Sequence, residues 1–424
     1  MTSGADATAN PVAKRALPFL LITILIDAIG IGIIVPVLPS LITEVTELDL
    51  SNAALWGGAL IFIYALMSFL FAPVLGNLSD RFGRRPVLII GLTVLGIDYV
   101  IMALAPNIWW LLVGRTMSGI AAATFTTANA YIADVTSPND RAKSYGLLGA
   151  AWGTGFMLGP VLGGLVADFA DSARAPFYLA AILAFANAAY GFLLLPESLP
   201  PEKRRAFDIK RANTIGAVRM VAKHPGLLGL LIAMVFYQIG HDANPAIWSF
   251  YTMYKFGWDA GDIGWSLGFV GVCLIFSMGW LTGYAVPRLG ETRAILIGFT
   301  SAGIGFLGYA LATQSWMMYA ATIFFAMVGI GSSALRSVLS KQVSETEQGE
   351  LQGAITSVMG LTAIFTPMMM TGLFSAFTGD DAPIHLPGAP YFLATIAMVL
   401  SIFMVVSFIG RIRVKPQPAR GEQD

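Results

Sequence analysis

The chain has 424 residues, of which 56% are hydrophobic and 12% are charged, about half the charged share of an ordinary soluble domain. Its 25 Lys and Arg residues balance 25 Asp and Glu residues, so no basic excess points to nucleic-acid binding. One cysteine and three scattered histidines exclude a disulfide framework and a metal cluster, and no cofactor is expected. So apolar a chain cannot bury its surface in one aqueous core, which indicates an integral membrane protein surrounded by a lipid bilayer.

Twelve apolar stretches have the length of about 20 residues that an α-helix needs to cross a bilayer. The first follows Lys14 and Arg15 as in a signal peptide, but it is too long for one and lacks a cleavage site. The stretches lie near residues 17–40, 55–75, 86–105, 108–133, 143–167, 175–195, 224–250, 263–285, 292–311, 315–336, 351–376 and 390–410. None alternates like a barrel strand, so the sequence predicts an all-α membrane protein with twelve transmembrane helices.

Lysine and arginine are distributed unevenly among the loops. The termini and every second loop carry nearly all of them, whereas the other loops hold only Arg174 and Lys255. Because cytoplasmic loops carry the excess of Lys and Arg, we predict that both termini are cytoplasmic. We expect a monomer that spans the cell inner (cytoplasmic) membrane several times.

Residues 196–223 contain three prolines and a basic run, which is typical of a linker. They divide the chain into two predicted six-helix halves, residues 1–195 and 224–424. Several residues recur in the second half at a constant offset of 207 positions, which indicates duplication. The pairs are Gly76 and Gly283, Arg81 and Arg288, Gly83 and Gly290, Gly146 and Gly353, Gly153 and Gly360, and Pro160 and Pro367.

The first predicted helix carries Asp27 near its middle, and Gly30 and Gly32 follow it. An ionisable group inside the bilayer is costly unless protein or water surrounds it. A carboxylate in such a place holds a proton more tightly than in water, so it can load and unload one. We therefore predict that Asp27 takes part in proton coupling; the alternative is a structural hydrogen bond to a neighbouring helix.

The loop after the second predicted helix, residues 76–88, has the pattern G-x-L-x-D-R-x-G-R-R-x-x-L. Its glycines and charged residues are Gly76, Asp80, Arg81, Gly83, Arg84 and Arg85. Predicted helix eleven begins near Glu350, and its positive N-terminal end can attract a carboxylate at Asp80. This predicts a cytoplasmic gate; in the alternative the arginines only determine topology. Asp134 and Arg141 are predicted to join this network or to form a solvated pair.

Predicted helices three and four place Asp98 and Arg115 at similar depths on either side of the turn at Pro106 and Asn107. We predict an ion pair between them, with either a structural role or a role in coupling.

Predicted helix five carries closely spaced small residues and a proline: Gly155, Gly159, Pro160, Gly163 and Gly164. Such glycines let a neighbouring helix approach closely, and the proline bends the helix. This packing either tunes the inward–outward equilibrium or is ordinary packing.

Predicted helix seven holds a group of polar and aromatic residues: Gln238, His241, Asp242, Asn244 and Trp248. Because consecutive helical residues point about 100° apart, we expect His241 and Asp242 to lie on different faces. Pro245 frees a backbone carbonyl near His241, and a kinked helix with polar side chains is a common binding-site pattern in transporters. The alternative is a wet position near the outer end of the helix.

Several of these motifs resemble those of the major facilitator superfamily. The loop pattern at 76–88 matches its inner-loop motif, Arg115 and Gly119 are similar to a second motif, and residues 155–164 resemble the motif of drug/proton antiporters. Residues 27–39, 98–99 and 130–134 look like the tetracycline-efflux branch. The resemblance implies a secondary transporter with two six-helix halves, protons and a small molecule as its partners, and no enzymatic activity.

The second half departs from that branch. Tetracycline pumps have a histidine where this chain has Leu274 and an aspartate where it has Ala302 and Gly303, and His241 and Asp242 are absent from their pattern. We therefore expect proton-coupled efflux of another aromatic, amphiphilic compound. The alternative is proton-coupled uptake of a small metabolite. The sequence contains no P-loop, H-E-x-x-H or G-x-S-x-G motif.

Overall fold

The computed structural model describes residues 11–122, 124–137, 140–205, 225–344 and 347–409. Within these ranges the chain forms helices and connecting turns, and no β-strand occurs in them. The helices are α1 Pro11–Ile34, α2 Leu38–Thr46, α3 Leu50–Phe82, α4 Arg84–Leu104, α5 Ile108–Ala121, α6 Thr124–Val135, α7 Arg141–Ala170, α8 Ala175–Leu194, a 3₁₀ turn Pro201–Lys203, α9 Pro225–Phe256, α10 Ala260–Ile275, a π-helical segment Phe276–Leu281, α11 Thr282–Leu289, α12 Glu291–Leu311, α13 Ser315–Ala326, α14 Val328–Ser340, α15 Gln348–Thr378 and α16 Ala389–Ile409.

Eleven segments of the described chain are long and apolar enough to cross a membrane. Three of them combine two or more of these elements, namely 108–135, 260–289 and 315–340. Helix α9 is not among the eleven. It has 32 residues, however, and at 1.5 Å per residue it exceeds the roughly 30 Å of a hydrocarbon core.

Helix α3 begins at a side-chain cap. The carboxylate of Asp49 accepts hydrogen bonds from the backbone N–H groups of Ser51 at 3.0 Å and Asn52 at 3.3 Å. The side-chain amide of Asn52 also donates to Asp49, at 2.6 Å, and this bond holds the pKa of Asp49 below its usual value. The cap therefore fixes the start of the helix in the loop before the membrane.

Two glycines of the internal repeat each separate two helices. Gly83 lies between α3 and α4 with φ of 109°, and Gly290 lies between α11 and α12 with φ of 76°. Positive φ is unfavourable for residues with a Cβ atom. The same backbone conformation at both positions explains why glycine recurs there.

The described chain forms two compact units. The first contains residues up to 205, together with 243–272 and 363–390. In it α1 packs most extensively against α7 and α8, α4 against α8, and α3 against α5. The second contains residues 225–242, 273–344, 347–362 and 391–409, and here α12 packs against α13 and α14. Of the predicted linker at 196–223, the part from residue 206 lies outside the described residues.

Candidate functional site

Asp27 lies in the middle of α1 and is buried, with 9% of its surface exposed. Its Oδ1 atom has no hydrogen-bond partner among the described residues. Gly30, one turn later, lies against the ring of Tyr99, so that a Cβ atom at Gly30 would be 3.4 Å from the Tyr99 hydroxyl. Tyr64 and Tyr99 both lie within electrostatic range of Asp27. The structural alternative, a hydrogen bond to a neighbouring helix, is not formed by this oxygen.

Asp98 on α4 and Arg115 on α5 form an ion pair, which confirms the pairing predicted from their similar depths. Asp98 is fully buried, and the side chain of Arg115 is 15% exposed. The guanidinium carbon of Arg115 lies 5.7 Å from the ring centre of Tyr64 and 6.0 Å from that of Tyr99. Arg115 therefore has one carboxylate partner and two aromatic neighbours.

Next to this group lies a cavity of about 180 Å³, formed within the first unit. Tyr64, Arg115 and Ser249 are its polar lining residues, and the other lining residues are apolar. Among these are Ile31, Leu60, Leu95, Met102, Pro245 and Phe250. An apolar wall with a few polar groups suits an amphiphilic ligand. Sequence analysis missed Tyr64, because one tyrosine in a long apolar helix carries no pattern of its own.

In the second unit, Asp242 is the centre of a polar cluster on α9. Gln238 donates its side-chain N–H to Asp242 Oδ1 at 2.7 Å, and His241 Nδ1 lies 3.4 Å from the same oxygen. His241 and Asp242 are predicted on different faces of α9, and this difference in direction does not keep their side chains apart. The 100° divergence applies to the Cα–Cβ bonds, and the imidazole is long enough to turn back towards the neighbouring carboxylate. Asp242 Oδ2 has no hydrogen-bond partner among the described residues.

Asn244 and Trp248, on the same helix, belong to the first unit and are buried at 5% and 1% exposure. The indole N–H of Trp248 donates to Ser266 Oγ at 2.9 Å. The structure therefore packs Trp248 in the protein interior instead of exposing its ring to a cavity.

The inner loop carries a charge network centred on Arg84. Its guanidinium contacts Asp80 at 2.5 Å, Asp134 at 3.1 Å and the hydroxyl of Ser79 at 2.6 Å. The predicted inclusion of Asp134 is thus confirmed. Arg141 differs from that prediction, since it donates to the backbone oxygen of Ala133 at 2.9 Å.

Glu197, which sequence analysis did not single out, caps α4. Its carboxylate accepts the backbone N–H groups of Arg84 at 2.9 Å and Arg85 at 3.3 Å. Gly83 precedes them at the N-cap position and has no side chain to do this. The guanidinium of Arg85 in turn donates to the backbone oxygen of Phe192. The residues after α8 are therefore tied to the inner loop.

The remaining loop residues are less constrained. The guanidinium carbon of Arg81 lies 5.1 Å from the ring centre of Phe82. A Cβ atom added at Gly76 would meet no atom within 4 Å.

The glycines of α7 pack against α1. A Cβ atom at Gly155 would lie 2.7 Å from Ala28 Cβ, and one at Gly159 would lie 2.6 Å from Gly32 Cα. One at Gly163 would lie 3.0 Å from the Cα atom of Ile33. These three residues therefore form a seam where the two helices touch through their backbones.

A second seam, also within the first unit, joins α7 to α10. A Cβ atom at Gly164 would lie 2.9 Å from Gly261 Cα, and one at Gly264 would lie 2.5 Å from the carbonyl oxygen of Pro160. A Cβ atom at Gly268 would lie 2.7 Å from the side-chain Cγ2 atom of Val161. Helix α7 thus presents glycine-mediated contacts on two sides, and Pro160 lies inside it.

The chain is similar to a known family, to curated relatives and to solved structures. Residues 20–243 and 243–424 match the sequence profile of the Major Facilitator Superfamily. The chain is 40% identical to the tetracycline resistance protein, class C, of Escherichia coli, over 86% of this chain and 91% of that protein. It is 38% identical to the class G protein of Vibrio anguillarum, over 84% and 89% of the two chains. The crystal structure of nucleoside transporter NupG resembles it in fold, with a TM-score of 0.74 at 14% identity, covering 93% and 99% of the chains.

Proposed function

The chain belongs to the major facilitator superfamily and is a multi-pass membrane transporter of small molecules, not an enzyme; from this premise we propose that it exports an amphiphilic organic compound in exchange for protons. Its relatives in Escherichia coli and Vibrio anguillarum, named for tetracycline resistance, support export of a drug-like compound over uptake of a metabolite.

The proposed architecture has twelve transmembrane helices, with α9 added to the eleven apolar segments and both termini cytoplasmic. Two halves, residues 1–195 and 224–424, joined by the linker 196–223, alternate access to the substrate. We place the protein in the inner membrane, surrounded by lipid, as a monomer. The length of α9 and the distribution of Lys and Arg support the twelve-helix topology with cytoplasmic termini.

The observation that carries the proposal is Asp27, a buried carboxylate with an oxygen that lacks a hydrogen-bond partner among the described residues. Such a group is costly in its charged form, so binding of a proton from the outside stabilises it. Release of that proton to the inside then drives the conformational cycle. In the second half, Asp242 with His241 and Gln238 is the proposed partner site for protons or substrate.

The inner loop is the proposed cytoplasmic gate. Arg84 holds Asp80 and Asp134 in one network, and Glu197 holds the start of α4. Together they give the loop a fixed shape, so that Asp80 can act as a latch that opens with the inner side. The two seams of α7 are proposed to set the balance between the inward-open and outward-open states.

For the substrate we propose an aromatic, amphiphilic compound, with tetracycline transported weakly or not at all. Leu274 and the pair Ala302 and Gly303 stand where tetracycline pumps have ionisable residues. The apolar cavity beside Arg115 supports a ligand with an apolar body.

The test uses inverted membrane vesicles with a pH-sensitive dye and a panel of aromatic drugs, tetracycline included. We expect at least one compound to dissipate an imposed proton gradient in vesicles that contain the protein. Asp27→Asn should abolish this signal. Asp171→Asn is the matched control, because Asp171 is an exposed carboxylate after α7 in the left-handed conformation that asparagine tolerates.

Substitution of His241 by alanine should change the substrate range or the pH dependence. Coupled export that survives Asp27→Asn, strong tetracycline resistance, or a His241→Ala variant identical to wild type on every substrate would each contradict the corresponding part of the proposal.

A further inference from the structure

Two tyrosines lie near both the guanidinium of Arg115 and the part of α1 that carries Asp27. The ring centres of Tyr64 and Tyr99 are 5.7 and 6.0 Å from the Arg115 guanidinium carbon. The Tyr99 ring also meets α1 at Gly30, on the same face as Asp27 one turn earlier. Tyr64 is within electrostatic range of both Arg115 and Asp27. Each ring therefore has the cation on Arg115 and this part of α1 among its neighbours.

Of the two carboxylates in this region, one has a cationic partner and the other has none among the described residues. Arg115 is paired with Asp98, so these two groups are together neutral. Asp27 forms no ion pair among the described residues, and one of its oxygens has no hydrogen-bond partner there. A cation within about 4–6 Å of a carboxylate favours its charged form strongly enough to oppose proton binding. An approach of Arg115 to that distance would therefore oppose proton binding to Asp27.

We propose that Tyr64 and Tyr99 are positioning residues that hold Arg115 on Asp98 by cation–π contact and keep its charge away from Asp27. The rings attract the guanidinium through their faces, and they fill the volume into which it would otherwise swing. Asp27 then exchanges its proton without a counter-charge. The consequence of this inference for transport rests on the proposed function in one respect, namely that Asp27 is the site of proton coupling.

The other neighbours of α1 leave Asp27 without a competing charge. Helix α7 presents glycines there, with Gly155 against Leu25, Ala28 and Ile29. Helix α8 presents Asn187, whose amide donates to the backbone oxygen of Thr23 at 2.8 Å. Helix α6 contributes Tyr131, which packs in the cluster of Ala16, Leu20 and Ile24, and its hydroxyl donates to the backbone oxygen of Pro196. The titratable or charged groups described near this part of the chain are thus Tyr64, Tyr99, Tyr131, Tyr190, which packs on Phe19 of α1, and the pair of Asp98 and Arg115.

The experiment measures proton binding to Asp27 directly, on the full-length purified protein in lipid. The infrared band of the protonated carboxyl group is followed as a function of pH and assigned by its loss in Asp27→Asn. Tyr64→Leu removes the ring, so Arg115 can approach Asp27. We expect the titration midpoint to move to lower pH by about 1 unit or more. Tyr64→Phe keeps the ring and should keep the wild-type midpoint.

A second-site change identifies the cause of the shift. Adding Arg115→Gln to Tyr64→Leu removes the cation, so the midpoint should return towards the wild-type value. Tyr99→Phe should behave as Tyr64→Phe does. Because Tyr64 is only half-buried, its leucine variant remains testable where substitutions at the fully buried Tyr99 prevent folding.

An unchanged midpoint in Tyr64→Leu, or a shift that persists after Arg115→Gln is added, would overturn the inference. The infrared measurement needs no substrate. Shifted midpoints in a protein without proton-coupled export would therefore refute the proposed function and leave the inference standing. An Asp27 band that does not titrate in the wild-type protein would refute both.

Discussion

Replacing Gly159 by alanine tests the seam between α1 and α7. The added Cβ atom would lie 2.6 Å from both Gly32 Cα and the carbonyl oxygen of Ile29. Carbon atoms make favourable contact at about 3.5–4.0 Å, so the two helices must separate by about 1 Å. Both partners are backbone atoms and cannot rotate away, unlike the end of a flexible side chain. Overpacking of this kind costs about 1–3 kcal/mol.

Gly153→Ala is the matched control on the same helix. A Cβ atom at Gly153 meets nothing within 4 Å. Each alanine gains about 0.5–1 kcal/mol over glycine in a helix interior, and this gain cancels when the two variants are compared. The difference between their unfolding free energies, measured by denaturant titration in detergent, therefore isolates the clash.

We expect Gly159→Ala to be less stable than Gly153→Ala by about 1–3 kcal/mol, with reduced export in vesicles. Equal stability of the two variants would refute the reasoning. It would mean that α1 and α7 adapt to an added methyl group at little cost, and that their close approach is not what requires glycine.

The sequence allowed most of the helical architecture to be predicted, because bilayer-length apolar runs and positive charge patterns are local signals. It also predicted the pair of Asp98 and Arg115, since a tight turn brings residues at equal distances from it to the same depth. The glycine seam of α7 with α1 was predictable as close packing, though not its partner helix. The recurring spacing of Gly261, Gly264 and Gly268 could have indicated the second seam.

Other features of the structure could not be predicted, because no pattern in the neighbouring sequence indicates them. Glu197 caps a helix that begins 113 residues earlier in the chain, and only tertiary packing brings the two together. Trp248 resembles a ligand-stacking residue in sequence, yet the hydroxyl of Ser266 satisfies its N–H inside the packed interior. The contact of His241 with Asp242 depends on side-chain rotation, which helical periodicity does not describe.

Two further predictions concern charged side chains and their partners. Glu197→Gln removes the anion at the start of α4. Hydrogen exchange of the backbone amides of residues 84 and 85 should then accelerate about 5-fold or more, which corresponds to a loss of about 1 kcal/mol in the stability of the first turn. Unchanged exchange would show that the charge of Glu197 does not stabilise the start of α4. Asp98→Asn leaves the Arg115 guanidinium without its counter-charge in a largely buried place, and should cost about 3–5 kcal/mol of unfolding free energy in detergent. The double variant Asp98→Asn with Arg115→Met should recover most of that loss, because no unpaired charge remains. Export measured with the double variant then separates a structural role of the pair from a role in proton coupling. A stable double variant that exports normally would show that the pair is structural, whereas a stable one without proton-coupled export would assign the pair to coupling. A double variant as unstable as Asp98→Asn would refute the electrostatic reasoning.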